Sequence, residues 1–196
     1  MKTISSIFDS SDQRQEDYDG QKASRDKETR LREGRSCAIQ FLGLSKKASG
    51  KVAGRLKEQG YHAEEIKLIM QGLYEDGYLD DYAQARKVLR QRTGRKAEAK
   101  AALAQRMVQA GISSEAVDDI IHQAPDDDVS AKDLLNSRFA ALLSDYPDMD
   151  PKEKRTCRLK IARFMARRGY SQEVVCRVLS DYLTDSTEDT FNAWHQ

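Results

Sequence analysis

Residues that could do covalent chemistry are few and scattered. The three histidines, His62, His122 and His195, lie far apart, and no serine or cysteine has the setting of an activated nucleophile. There is no glycine-rich phosphate loop. Cys37, Cys157 and Cys176 are odd in number and form no CxxC pair, which argues against a disulfide framework or a structural zinc site. Reduced, partly buried thiols are expected. Asp126, Asp127 and Asp128, with Asp118 and Asp119, could attract a divalent cation, but the run lacks EF-hand spacing and reads as a solvated linker. The residues imply no enzyme, no cofactor and no metal.

The side chains that do form a pattern are cations. Between Arg86 and Arg106 stand Arg86, Lys87, Arg90, Arg92, Arg95, Lys96, Lys100 and Arg106, against one acid, Glu98. The whole chain carries a net charge of only +1, so charge is segregated rather than in excess. A basic strip of this kind can meet phosphates or an acidic protein groove, and the residues alone do not separate the two.

The elements that must position this strip are helices. From Ser36 onward apolar residues recur at helical spacing, as in Ile39, Phe41, Leu42 and Leu44, or Ile66, Ile69, Met70 and Leu73, and no period-two run appears. A chain of 196 residues with 39% hydrophobic and 33% charged residues has a thin core and much solvated face. No stretch approaches the roughly 20 apolar residues of a membrane span. The N-terminus has no apolar export segment, so a cytoplasmic protein is expected.

Three glycines bring out an internal repeat. The segments LKEQGYHAEEIKLIM from Leu56, MVQAGISSEAVDDII from Met107 and MARRGYSQEVVCRVL from Met165 align position by position. Gly60, Gly111 and Gly169 suit the left-handed residue that ends a helix. His62, Ser113 and Ser171 then fall at the cap of the next helix, and Glu64, Glu115 and Glu173 in its first turn, where the helix dipole favours an anion. With a further apolar run before each pair, the expected fold is all-α: three tandem three-helix repeats forming an elongated, curved solenoid.

The expected division is a disordered or partly helical N-terminal arm over 1–34, repeats over 35–80, 81–124 and 133–183, an acidic linker over 125–132, and a tail over 184–196. The insertions around PDDDVS and YPDMDP make the joint between the second and third repeats the looser one. The second helix of each repeat is basic, from Lys46, Lys47, Lys51, Arg55 and Lys57 in the first to Lys152, Arg158, Arg163, Arg167 and Arg168 in the third. The third helix is acidic or mixed, which disfavours a DNA-reading helix-turn-helix, whose second helix faces phosphates.

Two segments also carry a family resemblance. GYLDDYAQARKVLRQR, Gly77 to Arg92, resembles the junction of the first and second repeats in the RecX family of recombinase regulators. FMARRGYSQEVVCRVL, Phe164 to Leu179, is similar to that family's third repeat. Together with the repeats, the resemblance spans about Cys37 to Tyr182. Lys47, Ala48 and Ser49 stand where the family commonly has an arginine-serine pair.

The resemblance implies a non-enzymatic monomer that binds RecA and its filament on single-stranded DNA. It would modulate, most often inhibit, ATP hydrolysis, strand exchange and the SOS response, with weak direct DNA contact. The alternative is a helical-repeat scaffold that binds single-stranded nucleic acid or another protein without acting on RecA. Candidate contact residues are Arg86, Arg90, Arg92, Arg95, Lys96, Lys100, Arg158, Arg163, Arg167 and Arg168. Asp80 and Asp81 are candidates for a partner contact or for the cap of the helix that follows, and the cap is preferred.

Overall fold

Among the described residues the helical periodicity is realised at all the expected positions but Leu44. In the computed structural model, residues 25–44 and 47–183 are described, and all regular structure among them is helical. Two compact units divide between Asp80 and Asp81. The first holds α1 (residues 25–42), α2 (Ser49–Glu58) and α3 (Ala63–Glu75). The second holds α4 (Asp81–Gln91), α5 (Lys100–Gln109), α6 (Ser114–Ile121), α7 (Asp127–Asp145), α8 (Pro151–Arg167) and α9 (Gln172–Tyr182).

The three aligned glycines make one kind of turn. Gly60, Gly111 and Gly169 have φ of +83°, +85° and +86°. In each turn the next residue donates its N–H back across the turn: Tyr61 to the Leu56 carbonyl at 3.2 Å, Ile112 to Met107 at 3.1 Å and Tyr170 to Met165 at 3.3 Å. These bonds satisfy carbonyls that a helix end leaves orphaned. Leu56, Met107 and Met165 are fully buried. His62, Ser113 and Ser171 occupy the N-cap positions of the following helices α3, α6 and α9, as the alignment predicts, and the Ser171 hydroxyl accepts the Val174 N–H at 3.3 Å.

In the first unit, Ala38, Leu42, Val52, Leu56, Ile69, Leu73 and Leu79 form the core, with Leu31 and Tyr61 packed against it. A Cβ at Gly34 would collide with the Ile69 side chain, so α1 and α3 approach closely there. Residues 25–34 therefore belong to α1 and its packing, whereas the expected arm extended to residue 34; residues 1–24 lie outside the described ones. Lys47 donates to the Phe41 and Leu42 carbonyls, the latter at 2.9 Å. It closes the end of α1 instead of joining a basic strip on the next helix. Leu44, expected in the apolar stripe, is fully exposed beyond that end. Lys46 and the tail over 184–196 lie outside the described residues.

Glu65 shows how the first unit ties α1 to α3. It accepts the His62 N–H at 2.8 Å and bonds with Arg30 of α1 at 2.7 Å. The Arg30 hydrogen bond, with the backbone bond from His62, lowers its carboxyl pKa to about 2.

In the second unit, two sequence expectations give way. The 125–132 stretch is not a linker: Asp126 is the N-cap of α7, and Asp127 and Asp128 are its first turn. The joint between the α4–α6 and α7–α9 segments is dense rather than loose. Ala97 and Ala99 share one core with Leu134, Leu135, Ile161, Met165, Val175 and Val178. The Ala99 N–H donates to the Arg168 carbonyl at 3.0 Å, and Tyr146, from the expected insertion, is 5% exposed. Asp127 accepts the Lys100 N–H at 2.8 Å, and Arg177 bridges to Asp128 at 2.8 Å. The acidic run thus serves as local anchors.

Two outcomes are expected. Gly169→Ala should lose about 3 kcal/mol in urea unfolding, because its Cβ would lie 2.7 Å from that of Ala102 in addition to the left-handed strain. Gly60→Ala, with open space around it, should lose only about 1 kcal/mol; equal losses would contradict the packing difference. Arg30→Ala should raise the NMR titration midpoint of Glu65 from about 2 toward the usual carboxylate value.

Candidate interaction surface

The single acid in the basic run turns out to organise it. Glu98 is 4% exposed, flanked by buried Ala97 and Ala99. Arg106 of α5 bonds to both its oxygens, Nε to Oε2 at 2.8 Å and Nη2 to Oε1 at 2.7 Å. Arg92 reaches Oε1 at 3.4 Å and Arg168, from the end of α8, reaches it at 3.3 Å. Burial alone would push the Glu98 carboxyl up. The Arg106 hydrogen bond and the charges of Arg106, Arg92 and Arg168 outweigh it and hold the pKa below its ordinary value.

The candidate residues separate by this geometry. Arg92 and Arg168 are committed to Glu98, and Arg168 also donates to the Lys96 carbonyl at 3.3 Å. Lys100 pairs with Asp126 at 2.8 Å. Arg158 is buried, donating to the Tyr146 hydroxyl at 2.7 Å and to the Leu183 carbonyl at 3.0 Å, so its work is inside the core. Arg86, Arg90, Arg95, Lys96, Arg163 and Arg167 are exposed, and among the described residues none of these six has an ion-pair partner. Arg167 lies 6.0 Å from the Phe164 ring centre and Arg168 lies 5.1 Å from it.

The turn carrying Arg95 and Lys96 is a short 3-10 helix, Gly94–Lys96. Its Gly94 N–H donates to Asp133 of α7 at 2.6 Å. Asp81 is 2% exposed and accepts the Ser113 N–H at 2.7 Å. It thereby ties the start of α4 to the α5–α6 turn and faces inward. Two of the three acids of α6 are also engaged, since the Tyr82 hydroxyl meets Asp119 at 3.2 Å and Glu115 at 3.4 Å, while Asp118 is exposed. Among the described residues there is no cluster of histidine, cysteine and acids that could hold a metal ion, and no helix long and apolar enough to cross a membrane.

No family model matches the chain. Relatives do. A protein called Regulatory protein RecX from Prosthecochloris aestuarii (strain DSM 271 / SK 413) is 28% identical over 148 residues, covering 76% of this chain and 92% of the relative. One of the same name from Mycobacterium sp. (strain KMS) is 28% identical over 155 residues, covering 76% and 81%. The crystal structure of RecX from Lactobacillus salivarius superposes with a TM-score of 0.58 at 15% identity, covering 78% of this chain and 96% of that one.

The chain is similar over about three quarters of its length to proteins named Regulatory protein RecX, and it shares the fold of RecX crystal structures. A second crystal structure of regulatory protein RecX agrees in fold, with a TM-score of 0.60 at 17% identity over 86% of this chain and 78% of that one. The RecX relatives are regulators by name, and the RecX structures share the all-helical architecture. Sequence reasoning alone missed the roles of Glu98, Asp133 and Tyr82. A solitary acid in a run of eight cations was the available signal for the first.

Replacing Glu98 should be felt in stability and in its pH dependence. Glu98→Ala should lose about 2 kcal/mol in urea unfolding at neutral pH, because three guanidiniums lose their shared acceptor. Since the folded pKa is lowered, the unfolded carboxyl takes up its proton first as pH falls. The wild type therefore holds this stabilisation above about pH 4.5, the ordinary value, and loses it as pH drops through the folded pKa. Glu98→Gln should flatten that acid limb of the stability curve; an unchanged limb would contradict the assignment.

Proposed function

We propose that this chain is a non-enzymatic regulator of RecA that binds the RecA filament on single-stranded DNA and restrains ATP hydrolysis and strand exchange in the cytoplasm. The observation that supports this reading most is the cation row on the second unit. Arg86, Arg90, Arg95 and Lys96 are exposed, the acids nearest in sequence are drawn into internal contacts, and no acid lies between Arg86 and Lys96. Such a row suits a filament groove that presents both protein carboxylates and DNA phosphates. The contact surface follows the four exposed residues rather than Arg92, Arg158 or Arg168, whose partners are internal, or Lys100, which pairs with Asp126 at the surface. Arg163 and Arg167 supply further exposed charge on α8.

Reversing the four charges together, R86E/R90E/R95E/K96E, should weaken co-sedimentation with RecA filaments by at least about tenfold. It should leave the melting temperature within a few degrees of wild type, because none of the four holds the core. Wild-type protein should lower RecA-dependent ATP hydrolysis at stoichiometric amounts, with an effect that falls steeply as salt rises. Unchanged hydrolysis, or unchanged co-sedimentation of the reversed variant, would overturn the proposal. Binding to bare single-stranded DNA without any effect on RecA would favour the scaffold reading instead.

A further inference from the structure

We infer that Glu98 is a positioning residue for the contact surface. It holds the Gly94–Lys96 turn in the conformation that presents Arg95 and Lys96, and this inference rests on the functional reading above. Four contacts converge on the short segment between α4 and α5, and Arg168 takes part in three of them. Its Gly94 N–H is held by Asp133 at 2.6 Å. Its Lys96 carbonyl takes a donor of Arg168 at 3.3 Å, and the Ala99 N–H returns to the Arg168 carbonyl at 3.0 Å. Glu98 itself collects Arg92, Arg106 and Arg168.

The segment alternates in what it buries. Ala97, Glu98 and Ala99 are buried, while the Arg95 and Lys96 side chains immediately before them are exposed. Arg168 is the link between the two halves: one guanidinium nitrogen, Nη1, serves both the Glu98 carboxylate and the Lys96 carbonyl. Removing the negative charge leaves three mutually repelling guanidiniums, and the nitrogen that holds Lys96 loses its electrostatic reason to stay. The backbone under Arg95 and Lys96 then gains conformations that binding must remove again. Preorganising a loop raises affinity by cutting that ordering cost.

Two measurements test this separately. Amide hydrogen exchange of the free protein reads positioning without RecA: in E98Q the Gly94, Ala97 and Ala99 amides should exchange at least about tenfold faster than wild type relative to α9 amides. Equal exchange would overturn the positioning role whatever RecA does. A double-mutant cycle on RecA-filament affinity reads its consequence. R95A/K96A and E98Q should each weaken binding about fivefold, and the triple variant should be no weaker than R95A/K96A alone.

Multiplied losses in the triple variant would mean that Glu98 acts elsewhere and would overturn the inference. If the exchange prediction holds while R95A/K96A binds like wild type, the turn is positioned but is not the contact, and the functional part is overturned. Should E98Q fail to fold, D133A removes the surface-exposed anchor of Gly94 and runs through the same exchange measurement and cycle with the same expectations.

Discussion

A carboxylate removed from water must be compensated by charge and hydrogen bonds, and in this protein one such group sets the arrangement of half the chain. Glu98 lies in the core with three guanidiniums on it, drawn from the end of α4, from α5 and from the end of α8. The acid cannot be buried alone, and the three arginines that meet it arrive from three different helices. The α4–α5 segment and the α8–α9 turn consequently have to lie side by side. The close seat of Gly169 on Ala102 and the backbone bond from Ala99 to Arg168 follow from the same juxtaposition. The ion-pair network and the apolar core of the second unit therefore point to one geometry.

Much of the local structure was legible because its causes are local. A glycine with an apolar residue after it and a cap-forming residue next specifies a helix end and the following helix start over five positions, and Gly60, Gly111 and Gly169 all behave so. Asp150, Pro151 and Glu153 likewise form a reciprocal cap at α8, with bonds of 2.8 and 3.0 Å. The basic character of the 86–106 run was plain from composition.

What the sequence could not separate was exposed charge from committed charge. Arg92, Arg158 and Arg168 are the same residue type as Arg86 and Arg90. Their difference is set by partners 6, 12 and 70 positions away. Long-range pairing of this kind has no periodic signature. The acidic stretch at Asp126 to Asp128 misled for the same reason: a run of aspartates looks solvated until the Lys100 amide and Arg177, which it binds, are brought to it. Gly34 and Leu31 looked like part of a polar arm because the apolar surface they meet belongs to α3.

Arg158 has a consequence of a different kind. Its guanidinium joins a phenol from the turn before α8 to a main-chain carbonyl just past the end of α9. A carbonyl is present whatever side chain the residue bears, so this bond does not read identity. It measures distance along the chain, as a caliper does. Polar substitutions on the outer face of α9 leave that gauge undisturbed, whereas a single inserted or deleted residue there turns the terminal carbonyl by about 100° around the helix and takes it out of reach. The exposed positions near the end of α9 should therefore tolerate changes of residue far better than changes of length.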